Sequence, residues 1–578
     1  MLQKFKQLLS YLGEYKKYAI LTPLVMVGEA AMEILIPFLM ARMLTYGVKA
    51  QNTEYTVKIG IIMIVASIFS LACGALGGRF SAKAGIGFGK NIRAKLFERV
   101  QDFSFANVDR YSTASLVTRL TTDVTNVQNT FMMCIRMLVR SPSMLIGAFI
   151  MAITINAKMA VVFAVVIPIL AIALGLIASN AHPRFTKMLE RYDKMNAALQ
   201  ENLIAIRVVK AFVRERHEID KFEASADEVR KTQVAAEKIV LLNAPVMQLC
   251  MYGCILAILW FGGRMSILGT FDIGELSGFI SYIGQILMSL MMITMIFISL
   301  IISMASVRRI CEVLDETVDI SDDHADPTLT LADGSVVFRN VSFSYNKDSE
   351  NPNLEEIDLT IRSGETIGII GGTGSAKSTL VQLIPRLYDV TEGSVLVGGH
   401  DVRDYKLNVL RDQVAMVLQK NVLFSGTIRE NLLWGNPNAT EEQLVEACKA
   451  AQAHDFIMSF PHGYDTELGQ GGTNVSGGQK QRLCIARALL KKPKIMILDD
   501  STSAVDTATD SKIRDALQQY HSDITTIIIA QRISSVAEAD RILVMDEGKC
   551  NAFDTHENLL RENAIYREVY ESQQKGAE

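Results

Sequence analysis

The sequence predicts an all-α polytopic membrane domain followed by an α/β domain, and three observations carry that expectation. Apolar residues crowd the chain before residue 310, six runs there are long enough to cross a bilayer, and further on a glycine-rich turn joins an apolar strand to a helix start. At 578 residues the chain is too long for a single core. A hydrophobic fraction of 49% and a mean hydropathy of +0.22 are high for a soluble enzyme. The net charge of -4 is small and the basic residues form no continuous patch, so nothing calls for nucleic acid. The expected division is a membrane domain over 1–310, an acidic linker over 311–334 and the α/β domain over 335–578.

Residues 1–17 carry Lys4, Lys6, Lys16 and Lys17 among apolar residues and lack a small-residue cleavage site. They read as an amphipathic elbow on the inner membrane surface. The spanning runs are 19–44, 57–76, 137–155, 159–178, 245–261 and 273–304, every one of them at or above the roughly 17 residues with which a helix can cross a bilayer. Three connections are short. The two long ones hold the positive charge, including Arg79, Lys83, Arg93 and Arg99 in the first and Arg184, Lys187, Arg207 and Lys210 in the second. That excess places both long connections and both chain ends in the cytoplasm. Their helical pattern, at 1.5 Å per residue over legs of about 25 residues, projects a turn roughly 35 to 40 Å below the membrane.

Two features inside the bilayer are candidate substrate groups. Glu29 and Glu33 lie at i and i+4 on one helix face. They are expected to receive a cationic substrate, or else to pair with neighbouring helices or snorkel. Met288, Met291, Met292 and Met295 recur at helical spacing. Such a thioether face suits varied greasy ligands, and packing is the favoured reading. The eight cysteines show no C-x-x-C and read as small hydrophobes.

Past residue 310 an acidic stretch runs to Pro327, and the second domain opens near Ser335. Its central feature is the run Gly371, Gly372, Thr373, Gly374, Ser375, Ala376, Lys377, Ser378, Thr379, between a strand over 366–370 and a helix over 380–387. A turn of this kind aims backbone N–H groups at one spot, where a phosphate sits. Lys377 is placed to reach terminal phosphates and Ser378 to hold Mg2+. Ala376 stands where the phosphate-loop pattern has glycine, so a positive φ there would strain the loop. The strand over 336–345 delivers Tyr345, whose ring is suited to stack on adenine, with a solvent-facing tyrosine the equal alternative. A strand over 414–419 ends in Gln419. Ser476, Gly477, Gly478 and Gln479 open a helical run, a second phosphate-sized N-terminus. A buried strand over 495–498 delivers Asp499, suited to Mg2+, and Asp500. The strand over 525–530 presents Gln531.

Taken together, residues 371–378, 475–479, Asp499, the segment Ser503-Ala504-Val505-Asp506 and residues 201–210 make the chain resemble the ATP-binding cassette (ABC) exporters of half-transporter type over essentially its whole length. The resemblance implies a P-loop NTPase fold for the second domain, with ATP and Mg2+ as its ligands. It implies that two nucleotide domains close head to tail, each ATP lying between the phosphate loop of one and the signature of the other. Tyr345 is then the adenine platform, Gln419 a Mg2+ sensor, and the turns near 111–116 and in the second cytoplasmic loop the coupling helices. Where the family has glutamate and histidine, this chain has Asp500 and Gln531. Aspartate is one methylene shorter, and glutamine does not exchange a proton as histidine does. The expected molecule is one subunit of a heterodimer in a bacterial plasma membrane, its nucleotide domain cytoplasmic and its own ATP site hydrolytically weak. It exports a hydrophobic or amphipathic small molecule, lipid or peptide. A homodimer with lowered turnover, an ATP-gated regulator or channel, and an importer on the same fold are the alternatives.

Overall fold

The computed structural model describes residues 2–269, 271–346, 351–500, 507–520 and 523–575. Two compact units emerge, one formed by Met1–Gln101 with Ser112–Glu316, the other by Asp102–Tyr111 with Thr317–Glu578.

The first unit is helical. Among the described residues, six helical stretches are long and apolar enough to cross a membrane: Lys4–Val48, Thr53–Gln101, Thr113–Ile155, Ala157–Ile204, Glu215–Ile267 and Ile273–Leu314. They run well past the apolar segments that announce them. The 49-residue helix Thr53–Gln101 is about 73 Å long at 1.5 Å per residue, so its second half is the descending leg expected from the long connections. The last helix starts on a capping box, with Asp272 accepting from Gly274 N–H and Glu275 bonding back to the Asp272 N–H. Lys49 closes on Asp272 at 2.7 Å. Gly274 has no room for a side chain, since a Cβ would lie 2.3 Å from the Ala41 carbonyl oxygen. The same helix continues to Leu314, so residues 311–314 form its last turn and not the start of a linker.

The core of this unit gathers Ala30, Ile34, Ala148, Phe163, Ile258, Phe279 and Ile283, with Phe163 and Phe279 stacked at 5.7 Å. On the last helix the packed face is Phe279, Tyr282, Ile283, Ile286, Leu287 and Leu290. Met288 and Met295 lie off that face and are exposed, while Met291 and Met292 are half-buried. The methionine stripe therefore straddles the edge of the packed face, because branched and aromatic residues hold the inner positions. All eight cysteines are free thiols.

The second unit is α/β. Its strands are β1 (Val336–Phe343), β2 (Leu354–Ile361), β3 (Thr366–Gly371), β4 (Glu392–Val397), β5 (His400–Asp401), β6 (Val414–Val417), β7 (Gly426–Thr427), β8 (Glu467–Leu468), β9 (Ile495–Asp499), β10 (Thr525–Ile529), β11 (Arg541–Asp546) and β12 (Lys549–Asp554). The main sheet has the order β12-β11-β3-β10-β9-β6, parallel except for β12 at its edge. A second, antiparallel sheet has the order β2-β1-β4-β5. The inner parallel strands read as near-continuous Ile, Leu and Val because both faces are covered. Ile367, Ile497 and Ile527 fall in one core cluster, Met496, Leu498 and Ile528 in another. Helices Glu441–Ala450 and Gly477–Leu490 pack in the latter, each started by a capping box, Thr440 with Gln443 and Ser476 with Gln479.

Candidate functional site

Four neighbouring parallel strands bring the site together. β3 ends on the glycine-rich loop, β9 on Asp499 and Asp500, β10 just before Gln531 and β6 just before Gln419. Their shared direction puts all of these at the carboxyl edge of one sheet, where open α/β sheets bind ligands.

In the loop, Gly374 has φ +88° and Ala376 φ +64° with ψ +25°. Ala376 is thus left-handed, a conformation that costs a residue with a Cβ about 1–2 kcal/mol. Alternation of handedness turns successive N–H groups inward, which builds an anion nest. The helix that follows is shorter than the sequence pattern implies. It spans Lys377–Gln382 and not 380–387, because Pro385 offers no N–H and the chain tightens into i+3 bonds from Leu383 to Leu380 and from Ile384 to Val381. The helix dipole at this loop is therefore that of a short helix, and the inward-turned amides are the loop's own. Lys377 Nζ donates to the Gly371 and Gly372 carbonyls at 2.9 and 2.7 Å and to Ser375 Oγ at 3.3 Å. Burial lowers the Lys377 ammonium from its usual range, and the nearby charges of Asp499 and Asp500 oppose this.

Asp499 is buried and its Oδ1 accepts from Ser378 Oγ at 2.9 Å. Burial pushes its carboxyl above the usual aspartate range. A buried carboxylate that is costly to charge, beside a hydroxyl and a phosphate nest, suits a hard cation held by few protein oxygens with phosphates and water completing the shell. Among the described residues no group of three or more His, Cys, Asp or Glu side chains forms a metal site of its own. The donor set thus fits Mg2+ carried in with phosphates, which Ser378 and Asp499 would hold, while Gln419 reaches the neighbouring Asp500.

Asp500 occupies the left-handed region at φ +47°, its N–H donating to the Ile529 carbonyl at 3.0 Å. Its Oδ2 accepts from Gln531 Nε2 at 2.8 Å and from Gln419 Nε2 at 3.3 Å. One carboxylate oxygen is therefore held between two amides from two other strand ends. Tyr345 lies two residues beyond the end of β1, not within it, and is half exposed. Its hydroxyl shares a hydrogen bond with Thr379 Oγ1 at 3.1 Å, at the end of the phosphate loop. Ser476 caps the helix Gly477–Leu490, and Gln479 Oε1 accepts from the Ser476 N–H at 2.8 Å. Ser476 and Gly477 are exposed. Asp506, with the rest of the segment 503–506, lies outside the described residues.

The membrane carboxylates are already engaged. Arg140 Nη2 donates to both oxygens of Glu33 at 2.9 and 2.8 Å, and its Nε lies 3.5 Å from Glu29 Oε1. Of the roles open to Glu29 and Glu33, pairing across helices is the one these contacts display. Arg140 was missed because it sits in a run otherwise apolar enough to span. The signal was present as Arg136 and Arg140, spaced i and i+4 like the glutamates. The first cytoplasmic turn, expected near 111–116, falls where the short helix Phe105–Arg110 ends at Tyr111 and a second, Thr113–Thr118, starts on its Ser112 cap, and Asp102–Tyr111 belongs to the α/β unit.

A nucleotide-type domain on the same chain as six bilayer-length helices defines a membrane protein with its own nucleotide-binding engine on the cytoplasmic side. The family model for the ABC transporter transmembrane region matches residues 20–290, and the ABC transporter model matches 354–503. The uncharacterized ABC transporter ATP-binding protein YfiB of Bacillus subtilis (strain 168) is 38% identical over 568 residues, 98% of each chain. An ATP-dependent lipid A-core flippase of Syntrophus aciditrophicus (strain SB) is 33% identical over 485 residues, 84% of this chain and 80% of that one. In fold the chain is similar to a bacterial Atm1-family ABC exporter solved with ATP bound, at a TM-score of 0.82 and 24% identity, covering 96% of this chain and 98% of that one. The chain belongs to the ABC transporter family, with membrane and ATP-binding domains fused.

Proposed function

We propose that the chain is one half of an ATP-driven exporter in a bacterial plasma membrane, and that it pairs with a companion half whose site does most of the hydrolysis. The observation that carries this reading is the state of Asp500. It is a methylene shorter than the family's glutamate, and its Oδ2 is bound by Gln419 and Gln531. Phosphoryl transfer to water depends on placing the nucleophile in line and stabilising charge. Lys377, the loop amides and Asp499 with Ser378 are suited to bind ATP and position its phosphates. A bound Mg2+ would supply neutralisation of phosphate charge. The group that orients water is the one that departs from the pattern, so this site holds nucleotide and turns it over slowly.

Two exposed faces support a companion. At the tip of the second cytoplasmic connection Ile204 is 78% and Phe212 73% exposed, with Val208 beside them. On the α/β unit Phe424 and Trp434 stack at 4.3 Å and remain exposed over a groove that Arg487 and Lys491 also line. Apolar surface of this kind marks a protein contact. A second half covering both, and contributing an ATP site against Ser476 to Gln479, accounts for them together. The lipid named for one relative and the exposed Met288 and Met295 favour an amphipathic substrate, with lipids, small molecules and peptides in that class. The test is ATPase of the purified full chain in lipid nanodiscs, alone and with its companion. Binding of Mg-ATP with little turnover alone, and substrate-stimulated turnover in the pair, is the expected result. Full turnover by the chain alone sinks the heterodimer reading.

A further inference from the structure

Residues 102–111 come from the membrane half of the sequence yet fold with the α/β unit. The helix Phe105–Arg110 is closed at its start by Ser104 and Asn107. Ser104 Oγ donates to Asp319 Oδ1 at 2.5 Å, and Asn107 Nδ2 donates to the Thr317 carbonyl at 3.0 Å. Both bonds go to the segment that leads into the α/β unit. A third goes elsewhere: Asp109 Oδ2 accepts from the Tyr388 hydroxyl at 2.6 Å.

Tyr388 is buried, 8% exposed. Its ring meets Phe105 at 6.0 Å and stands edge-on to Tyr345 at 5.1 Å with the planes at 88°. Tyr345 in turn is bonded to Thr379 at the phosphate loop. Burial, reinforced by Asp109, holds the Tyr388 phenol above the usual tyrosine range, so it stays a donor at any working pH. A continuous line of contacts therefore runs from Tyr345 through Tyr388 to Asp109. Chain continuity then takes it to Ser112, where the first unit resumes. The bonds of Ser104 and Asn107 anchor the same segment but touch neither Tyr345 nor the loop.

We propose that Tyr388 is a positioning residue that passes the state of the Tyr345 ring to Asp109, and so couples nucleotide occupancy to the first cytoplasmic connection. The proposal rests on the reading of Tyr345 as the adenine platform. Edge-to-face rings hold each other in a preferred orientation, so a base settling on Tyr345 re-sets the ring behind it. The short hydroxyl bond carries that change to the loop, because such bonds weaken steeply when bent or stretched.

The test is hydrogen–deuterium exchange on the full chain in lipid nanodiscs, with and without a non-hydrolysable ATP analogue and Mg2+. In the wild type the analogue slows exchange of amides 105–118 by about fivefold or more, the low end of ordinary site-to-site coupling. Tyr388→Phe keeps both ring contacts and removes only the bond. It binds the analogue as the wild type does, and the analogue no longer changes exchange at 105–118. Asp109→Asn retains an acceptor and retains the effect; Asp109→Ala loses it. A role in folding alone would shift exchange equally with and without nucleotide. A full nucleotide effect in Tyr388→Phe, or none in the wild type, overturns the relay. Tyr345→Ala separates the two ideas. Unchanged analogue affinity in that variant removes the adenine platform and the relay with it. Weakened affinity beside an intact effect in Tyr388→Phe removes the relay alone.

Discussion

Replacing Asp500 by glutamate is the sharpest probe of the catalytic edge. The added C–C bond is about 1.5 Å, enough to carry the carboxylate past the amides of Gln419 and Gln531 that now hold its Oδ2 at 3.3 and 2.8 Å. A misplacement near 1 Å costs on the order of 10²-fold in rate. Recovering it would lower the barrier by about 2.7 kcal/mol, at 1.36 kcal/mol per tenfold. The backbone works against the change, because φ +47° at this position suits aspartate better than glutamate. That cost, at most about 1–2 kcal/mol, falls on stability and leaves the chemical barrier alone. Asp500→Glu is therefore expected to raise turnover of the isolated chain by about 30- to 100-fold with a slightly lowered unfolding temperature. Adding Gln531→His supplies a proton-exchanging group and raises it further. The assay is phosphate release by full-length protein in nanodiscs at saturating Mg-ATP, with ATP affinity measured in parallel. Unchanged turnover in Asp500→Glu at unchanged affinity would refute the argument that carboxylate reach limits this site.

Lys377→Ala removes the ammonium from the loop and should weaken Mg-ATP binding by about 10- to 100-fold, the worth of a charged hydrogen-bonding partner, read by a fluorescent analogue. Ala376→Gly relieves about 1–2 kcal/mol of left-handed strain and returns about 0.4–1 kcal/mol as unfolded-chain entropy. A rise of about 1–4 °C in the unfolding midpoint of the α/β domain without nucleotide follows; a fall would show that the loop is relaxed. Arg140→Ala strands Glu29 and Glu33 inside the helix bundle and should cost about 3–5 kcal/mol. Thermal unfolding in detergent measures it, and Glu29→Gln with Glu33→Gln in the same chain should restore most of the loss.

The strand ends were legible because each parallel strand is a run of Ile, Val and Leu that stops on a polar residue, as at Asp499, Gln419 and Gln531. The left-handed turn at Ala376 was legible too, since a phosphate loop dictates its backbone whatever residue fills it. Contacts across elements were not. Helical periodicity put Glu29 and Glu33 on one face, but only packing of two helices reveals that Arg140 meets them. The methionines of the last helix share a spacing with its inner residues, and burial alone tells the faces apart. The short helix Phe105–Arg110 ahead of the first cytoplasmic turn was not legible, because its cap, Ser104 with Asn107, lacks the Glu or Gln of the usual pattern. The helix after the loop was drawn too long because apolar spacing continues through Pro385 although its hydrogen bonding cannot.

Because the chemical groups at the sheet edge are rooted in four different strands, with only Asp499 and Asp500 sharing one, most of them are free to drift on their own. Gln531 and Asp500 lie beyond the last residues of β10 and β9, so a change of side chain at either leaves the inner residues of the sheet in place. On the reading proposed above, such an architecture lets a duplicated gene keep one copy as the motor while its sibling settles into the role of a slow clasp by single substitutions.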